Sequence, residues 1–374
     1  MLTACEGEQY TQTTFRPVTE FGEALNRVFA NTFAWTMGIL ALVVALVVYV
    51  VIRFRERPGQ PPPAQIHGST KLELLWTTIP AIIVLFIAIP TVRTLFTMQE
   101  PPEQGALEVE VIGHQWWWEF RYPEQGVVTA NQLVLPVGRE IHLRMHSADV
   151  VHSFWIPRLG GKRDVNPQPA LPEGQQPRPN HLVFTVREPG TYSGQCAEYC
   201  GASHAIMKMT AVAVPEAEFE PWVESMLGEP AAAPSPPSPD TATGAAANGA
   251  GVGVAGQAAD AAQAALVAEG ERIFTSRTCI ACHAIANTAA QGALGPNLTL
   301  FGTRPTIGAG ALPSNQENLE RWITNPRAVK PGALMPGTET PAPAPGNPAG
   351  PPFPATGLTP DEVRAVAAYL LSLK

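Results

Sequence analysis

Between Gly194 and Met207 the chain gathers two thiols, an imidazole and a thioether into one short stretch: Cys196, Cys200, His204 and Met207. Thiolate and thioether are soft ligands that favour copper, and a loop with a single Cys beside His and Met would describe a mononuclear copper site. Two thiolates can instead bridge two coppers, which shares one electron over both metals and keeps reorganisation small when it moves. Such a pair requires a second imidazole. His152, in Val150-Val-His152-Ser-Phe-Trp155 ahead of Pro157, is placed to bring one from another loop. A Cys-x3-Cys pair in an exported protein also fits a disulfide or part of a zinc site, and the presence of His204 and Met207 in the same loop weighs against both.

A second constellation, Cys279-Ile-Ala-Cys282-His283, has the pattern in which two thiols add to the vinyl groups of haem and the adjacent His ligates iron. A thioredoxin-like pair competes for Cys-x2-Cys, but the following His and the lack of a strand-helix context argue against it. Zinc would need more ligands. Met335, in the Pro-bracketed loop Lys330-Pro-Gly-Ala-Leu-Met335-Pro336, is the expected sixth ligand. Filling both axial positions suits outer-sphere electron transfer and excludes oxygen binding at this iron.

These ligands have to be positioned, and 374 residues suffice for several units. Residues 28–52 and 74–92 carry no charged side chain, and a helix needs about 20 residues to cross the hydrocarbon layer. The connection between them carries Arg53, Arg55, Arg57 and Lys71, whereas only Arg16 and Arg27 precede it, so the loop is expected on the cytoplasmic side. Both termini and all the cysteines then fall on the outer face of a bacterial cell membrane. The start, Leu2-Thr3-Ala4-Cys5, resembles the lipobox of bacterial lipoproteins and would make Cys5 a lipidation site. Only four residues precede it, which leaves open a start site placed too late or an incidental thiol.

From 106 to 214 short β-rich runs alternate with turn residues, as in Leu107–Ile112, Glu140–Met145, His181–Val186 and Met209–Val214. The alternation predicts half-buried antiparallel strands in a small sandwich or Greek-key barrel, with loops clustered at one end for a metal site. The net charge of −8 is concentrated here, since 98–228 holds 16 acidic and 9 basic residues. That argues against nucleic-acid binding and allows a basic soluble partner to be steered in. Ala, Pro, Gly and Ser dominate 228–262, a composition that predicts a disordered tether. The expected organisation is an outer segment over 1–22, a helical hairpin over 23–97 with helices near 28–52 and 74–95, a metal-binding β domain over 98–227, the tether, and a haem domain over 263–374.

The motifs His152-Ser-Phe-Trp, Cys196-Ala-Glu-Tyr-Cys200-Gly with His204 and Met207, and Gly113-His-Gln-Trp-Trp-Trp118 resemble subunit II of haem-copper cytochrome c oxidases over about residues 20–220. The resemblance implies a multidomain chain: a two-helix transmembrane hairpin followed by an all-β, cupredoxin-like Greek-key domain. It implies a binuclear copper A centre bridged by Cys196 and Cys200, with His152 and His204 terminal, Met207 axial to one copper and the Glu198 carbonyl axial to the other. The Glu198 side chain would also contact a magnesium shared with subunit I. Trp116 would mark the point where electrons come in, as an exposed indole facing a docked donor. Glu73, in Lys71-Leu-Glu73-Leu-Leu-Trp76, matches a glutamate that guards a proton channel, although an acid at the edge of a span can also simply snorkel. A Pro-rich loop from Gln168 to Asn180 departs from the family pattern after Asp164.

Around the haem motif, Gly270-Glu-Arg-Ile-Phe274, Gly295-Pro-Asn-Leu298 and a last helix bearing Tyr369 resemble class I cytochrome c, an all-α fold. Gly270 and Phe274 are expected against Tyr369, with Thr359 capping the last helix and a surface loop over 341–354. The joint resemblance implies subunit II of a proton-translocating oxidase working with subunits I and III and an external cytochrome c or similar donor. The chain itself would transfer electrons only. A free-standing carrier serving another copper or denitrification reductase is the alternative, disfavoured by the paired spans and Glu73. A quinol oxidase subunit would lack the copper ligands, and an assembly subunit would leave its sites empty.

Overall fold

The computed structural model describes residues 11–59, 68–168, 179–228, 253–339 and 353–374. Cys5, most of the tether, the core of the Pro-rich loop after Gln168 and most of 341–354 lie outside the described residues.

Helix α1 (Glu20–Arg53) and helix α2 (Thr70–Thr97) are both long and apolar enough to cross a membrane. They pack as a hairpin through Trp35 stacked on Phe86, with ring centroids 5.7 Å apart. Both start earlier than apolar counting predicts. In α1 the reason is a cap: Thr19 accepts from the Gly22 amide, and Glu20 and Glu23 sit in the first turn where the helix dipole favours acids. At about 1.5 Å per residue the helix exceeds a bilayer's need. Its extra turns dock on the β domain: the Thr19 hydroxyl donates to the Leu159 carbonyl, Glu20 accepts from the Thr185 amide, and Glu23 pairs with Arg187.

The β domain is a sandwich. One sheet contains β1 (Leu107–His114), β2 (Trp117–Tyr122), β3 (Val127–Ala130), β5 (Glu140–Ser147) and β8 (Asn180–Thr185), in the order β3-β2-β1-β5-β8. The other contains β4 (Gln132–Pro136), β6 (His152–Trp155), β7 (Arg163–Val165), β9 (Gly190–Cys196) and β10 (Lys208–Val214), in the order β4-β10-β9-β6-β7. The alternation read from sequence is present, as in β5, where Ile141, Leu143 and Met145 face inward. The sheets are mixed rather than purely antiparallel: β1 pairs β5 and β4 pairs β10 in parallel. Period-2 patterning fixes which face is buried and carries no information on strand direction. Trp118, Phe120, Tyr122 and Phe154 fill the space between the sheets, and helix α3 (Glu216–Leu227) closes one end with Phe219.

The C-terminal unit is helical: α4 (Gly253–Ser276), α5 (Cys279–Cys282), α6 (Gln316–Thr324), α7 (Pro326–Val329) and α8 (Pro360–Ser372). Helix α4 takes in the last ten positions of the expected tether, because an Ala-rich run from Ala255 is a good helix former once its C-terminal part is packed. Thr359 and Glu362 form a reciprocal capping box at the start of α8. Phe274 lies 5.8 Å from Tyr369. Where α4 crosses α8, a Cβ on Gly270 would stand 2.0 Å from the Ala365 carbonyl oxygen. Gly270→Ala is therefore expected to destabilise this unit by about 3 kcal/mol, since neither helix backbone can yield cheaply. Thermal unfolding followed at the haem band checks it, and an unchanged midpoint would show that the helices slide apart.

Candidate functional site

Strand pairing builds the first site. Phe154 on β6 is paired with Cys196 at the end of β9, so His152 and Cys196 meet across neighbouring strands. The chain then makes one loop and a 3-10 turn (His204–Ile206) before β10 returns beside β9, and the Cys196 amide donates to the Met207 carbonyl. Four ligands predicted from one loop and a fifth from a distant strand are thereby brought together. Cys196 Sγ lies 3.8 Å from Cys200 Sγ and 3.9 Å from His152 Nδ1. Cys200 Sγ lies 3.6 Å from His204 Nδ1 and 3.8 Å from Met207 Sδ. The Glu198 carbonyl stands 3.2 Å from Cys196 Sγ, with its residue exposed.

The sulfurs are far from a disulfide distance of about 2.05 Å. A hydrogen bond from the Cys200 thiol holds Cys196 well below the ordinary thiol range against its burial, with His152 assisting. Cys200 is pushed up in turn by that bond to Cys196 and by burial. One thiolate is favoured and a second is not, so two thiolates here require positive charge between them. Soft metal ions supply that charge, and the donor set fits two coppers.

Sequence reading missed Asp149. Its carboxylate lies 2.8 Å from His152 Nε2 and accepts from the Gln115 and Val150 amides. Burial opposes charge on His152, but the bonds to Asp149 and Cys196 outweigh it and raise its pKa. With Nε2 engaged, Nδ1 is left toward the sulfurs, the usual second-shell arrangement for a ligating imidazole. The one signal in sequence was a carboxylate three residues before the candidate ligand, which becomes a partner only through the turn between them.

The second site is a cavity of about 300 Å³ bordered by Cys279, Cys282, His283 and Met335, with Phe274, Leu298 and Trp322 among its apolar walls. His283 Nδ1 is 2.8 Å from the Pro296 carbonyl, which leaves Nε2 as its ligand atom. Arg304, also missed in sequence, borders the cavity while donating to the Asn297 carbonyl, and burial pushes it down to about 10. An apolar slot with two thiols, an imidazole, a thioether and a half-buried cation fits haem, whose propionates offer the anion.

Trp116 corrects an expectation. It sits in a turn and is only 9% exposed, not the open indole expected. Its indole donates to the Cys200 carbonyl at 3.0 Å, while Trp116 and Gln115 also border the haem cavity. What covers it is the chain's own C-terminal unit. Trp117 stacks on His114 and Trp118 is buried in the sandwich. Glu73 lies exposed in the first turn of α2, apart from both sites.

The chain matches the family models for the transmembrane domain of cytochrome c oxidase subunit II over residues 9–94, for its periplasmic domain over 126–214, and for cytochrome c over 267–374. It is 33% identical over 345 residues to cytochrome c oxidase subunit 2 of Alkalihalophilus pseudofirmus, covering 90% of this chain and 84% of that one. It is 34% identical over 337 residues to the same subunit of Bacillus sp. strain PS3, covering 86% and 80%. Among solved structures, the periplasmic domain of cytochrome oxidase subunit II from Bradyrhizobium japonicum is 30% identical, with a TM-score of 0.30, covering 33% of this chain and 95% of that one.

Asp149→Asn is expected to weaken copper binding about 10- to 100-fold, the usual cost of losing a carboxylate behind a ligating imidazole. Competition against a copper chelator reads this directly, and an unchanged affinity would show that something other than Asp149 orients His152.

Proposed function

The chain belongs to the cytochrome c oxidase subunit II family and ends in a cytochrome c domain, and from that premise we propose that it relays electrons from an external donor to the catalytic subunit I. The relay would use haem held by Cys279, Cys282, His283 and Met335, and a copper pair held by Cys196, Cys200, His152, His204, Met207 and the Glu198 carbonyl. When bound, haem and copper supply one-electron storage with little change of coordination. The protein supplies position. The observation that carries the reading is Trp116, which borders the haem cavity on one side and bonds to the Cys200 carbonyl on the other. Trp116 is accordingly the bridge between the two centres.

The basic loop between the spans supports a cytoplasmic placement for it, with both redox domains outside. Glu73 would then stand at the inner edge of α2, where a proton path into subunit I can begin, in keeping with proton translocation by the assembled enzyme. The exposed side chain of Glu198 is free to meet magnesium at the contact with subunit I, while subunit III completes the complex. Oxygen chemistry belongs to the partner.

Stepwise anaerobic reduction of the full chain, loaded with copper and haem, tests the relay. The haem and copper bands are both expected to respond and to exchange electrons with each other. Bands that respond without exchange, or a preparation lacking either cofactor, would overturn it.

A further inference from the structure

Lys330 is 3% exposed, and its ammonium meets three backbone carbonyls: Trp116 at 2.5 Å, Gly308 at 2.7 Å and Ile206 at 3.1 Å. A lysine has three N–H donors, and all three are used. Two of the acceptors belong to the copper-binding domain and the third to the haem domain that carries Lys330. Around this point Ser203 donates to the Pro331 carbonyl and the Lys208 amide donates to the Ala309 carbonyl. Gly332 adopts φ +86°, and a Cβ there would lie 2.4 Å from the Trp116 ring, so the haem domain's loop is in contact with the indole. Among the described residues no ion pair joins the two domains.

We infer that Lys330 is a positioning residue, a latch that locks the haem domain onto the copper domain with Trp116 enclosed between them. This rests on the haem-to-copper relay proposed above and adds to it that transfer starts from one fixed contact, not from a search at the end of a tether. The latch also closes the Trp116 face to soluble donors, so an external carrier has to deliver its electron to the haem. A surface encounter guided by ion pairs weakens with salt, whereas a buried ammonium on carbonyl oxygens is screened much less. The contact is therefore built to be insensitive to ionic strength.

The test is flash reduction of haem in the full, cofactor-loaded chain, with copper reduction followed in the wild type, Lys330→Met and Lys330→Arg. In the wild type the rate is expected to be first order and independent of salt and of added viscogen. Lys330→Met should slow it about tenfold or more, the scale set by losing a charge-assisted hydrogen bond that leaves buried carbonyls unpaired, and should make it viscosity-dependent. Unchanged haem and copper spectra would show both centres intact in the variant, and Lys330→Arg should recover part of the rate. A Lys330→Met rate equal to wild type and insensitive to viscosity would overturn the latch. Absence of transfer in the wild type would sink the underlying relay instead. A measurement that needs no variant is hydroxyl-radical footprinting of the wild type: Trp116 is expected to be protected, and modification as fast as at Tyr199, which is 74% exposed, would overturn the latch.

Discussion

Two sulfur atoms held 3.8 Å apart in a buried pocket set the terms for the middle domain. If both were charged, their repulsion at that spacing would be about 4 kcal/mol in a medium of effective dielectric about 20. A flexible loop would relieve it by moving one sulfur away. Here Cys196 ends β9 with Phe154 of β6 beside it and its amide bonded to Met207 where β10 begins, while the loop carrying Cys200 is held by the Gln115 side chain and the Trp116 indole, which both donate to the Cys200 carbonyl. The sandwich thus holds the donors close together, and the positive charge that bound copper would supply is the favourable way to discharge the sulfurs. Asp149 extends the same logic outward by fixing the His152 ring.

The junction between the two C-terminal units has a different character. Acidic residues outnumber basic ones by 16 to 9 over 98–228, a distribution suited to attracting a basic carrier from a distance. The contact at Trp116 uses none of that. It is made of carbonyls, a glycine against an indole and one interior lysine, the materials of a protein interior more than of a transient encounter. Long-range attraction and close docking are in this way assigned to separate surfaces, and each can be tuned without disturbing the other.

What was legible in the sequence follows from how locally each feature is encoded. Cys196, Cys200, His204 and Met207 share one loop, and the haem motif occupies five consecutive residues, so residue type and spacing sufficed. His152 was readable because its segment, Val150 to Trp155, is strand-like and runs into the turn residue Pro157. Asp149 was not, since a carboxylate three residues away becomes a partner only when a turn folds it onto the ring. Parallel pairing of β1 with β5 left no mark on a pattern of period two. The covering of Trp116 was least accessible of all, for the carbonyl and the ammonium that meet there are 214 residues apart and an exposed aromatic looks the same in sequence as an enclosed one.

The N-terminal joint shows why the latch has to be at the other end. Helix α1 continues without a break from its apolar span to Glu20, and Thr19, Glu20 and Glu23 bind it to the β sandwich. A copper domain carried on such a stalk has its height and tilt set by the membrane helix, which suits delivery to a fixed partner within the bilayer. Among the described residues no hydrogen bond or ion pair ties the haem domain to the membrane helices, and in sequence it follows an Ala-, Pro- and Gly-rich stretch. Transfer by tunnelling depends on distance and orientation. In the proposed relay a non-covalent contact fixes both, and the side chain with enough donors to tie Trp116, Ile206 and Gly308 together at a single point is Lys330.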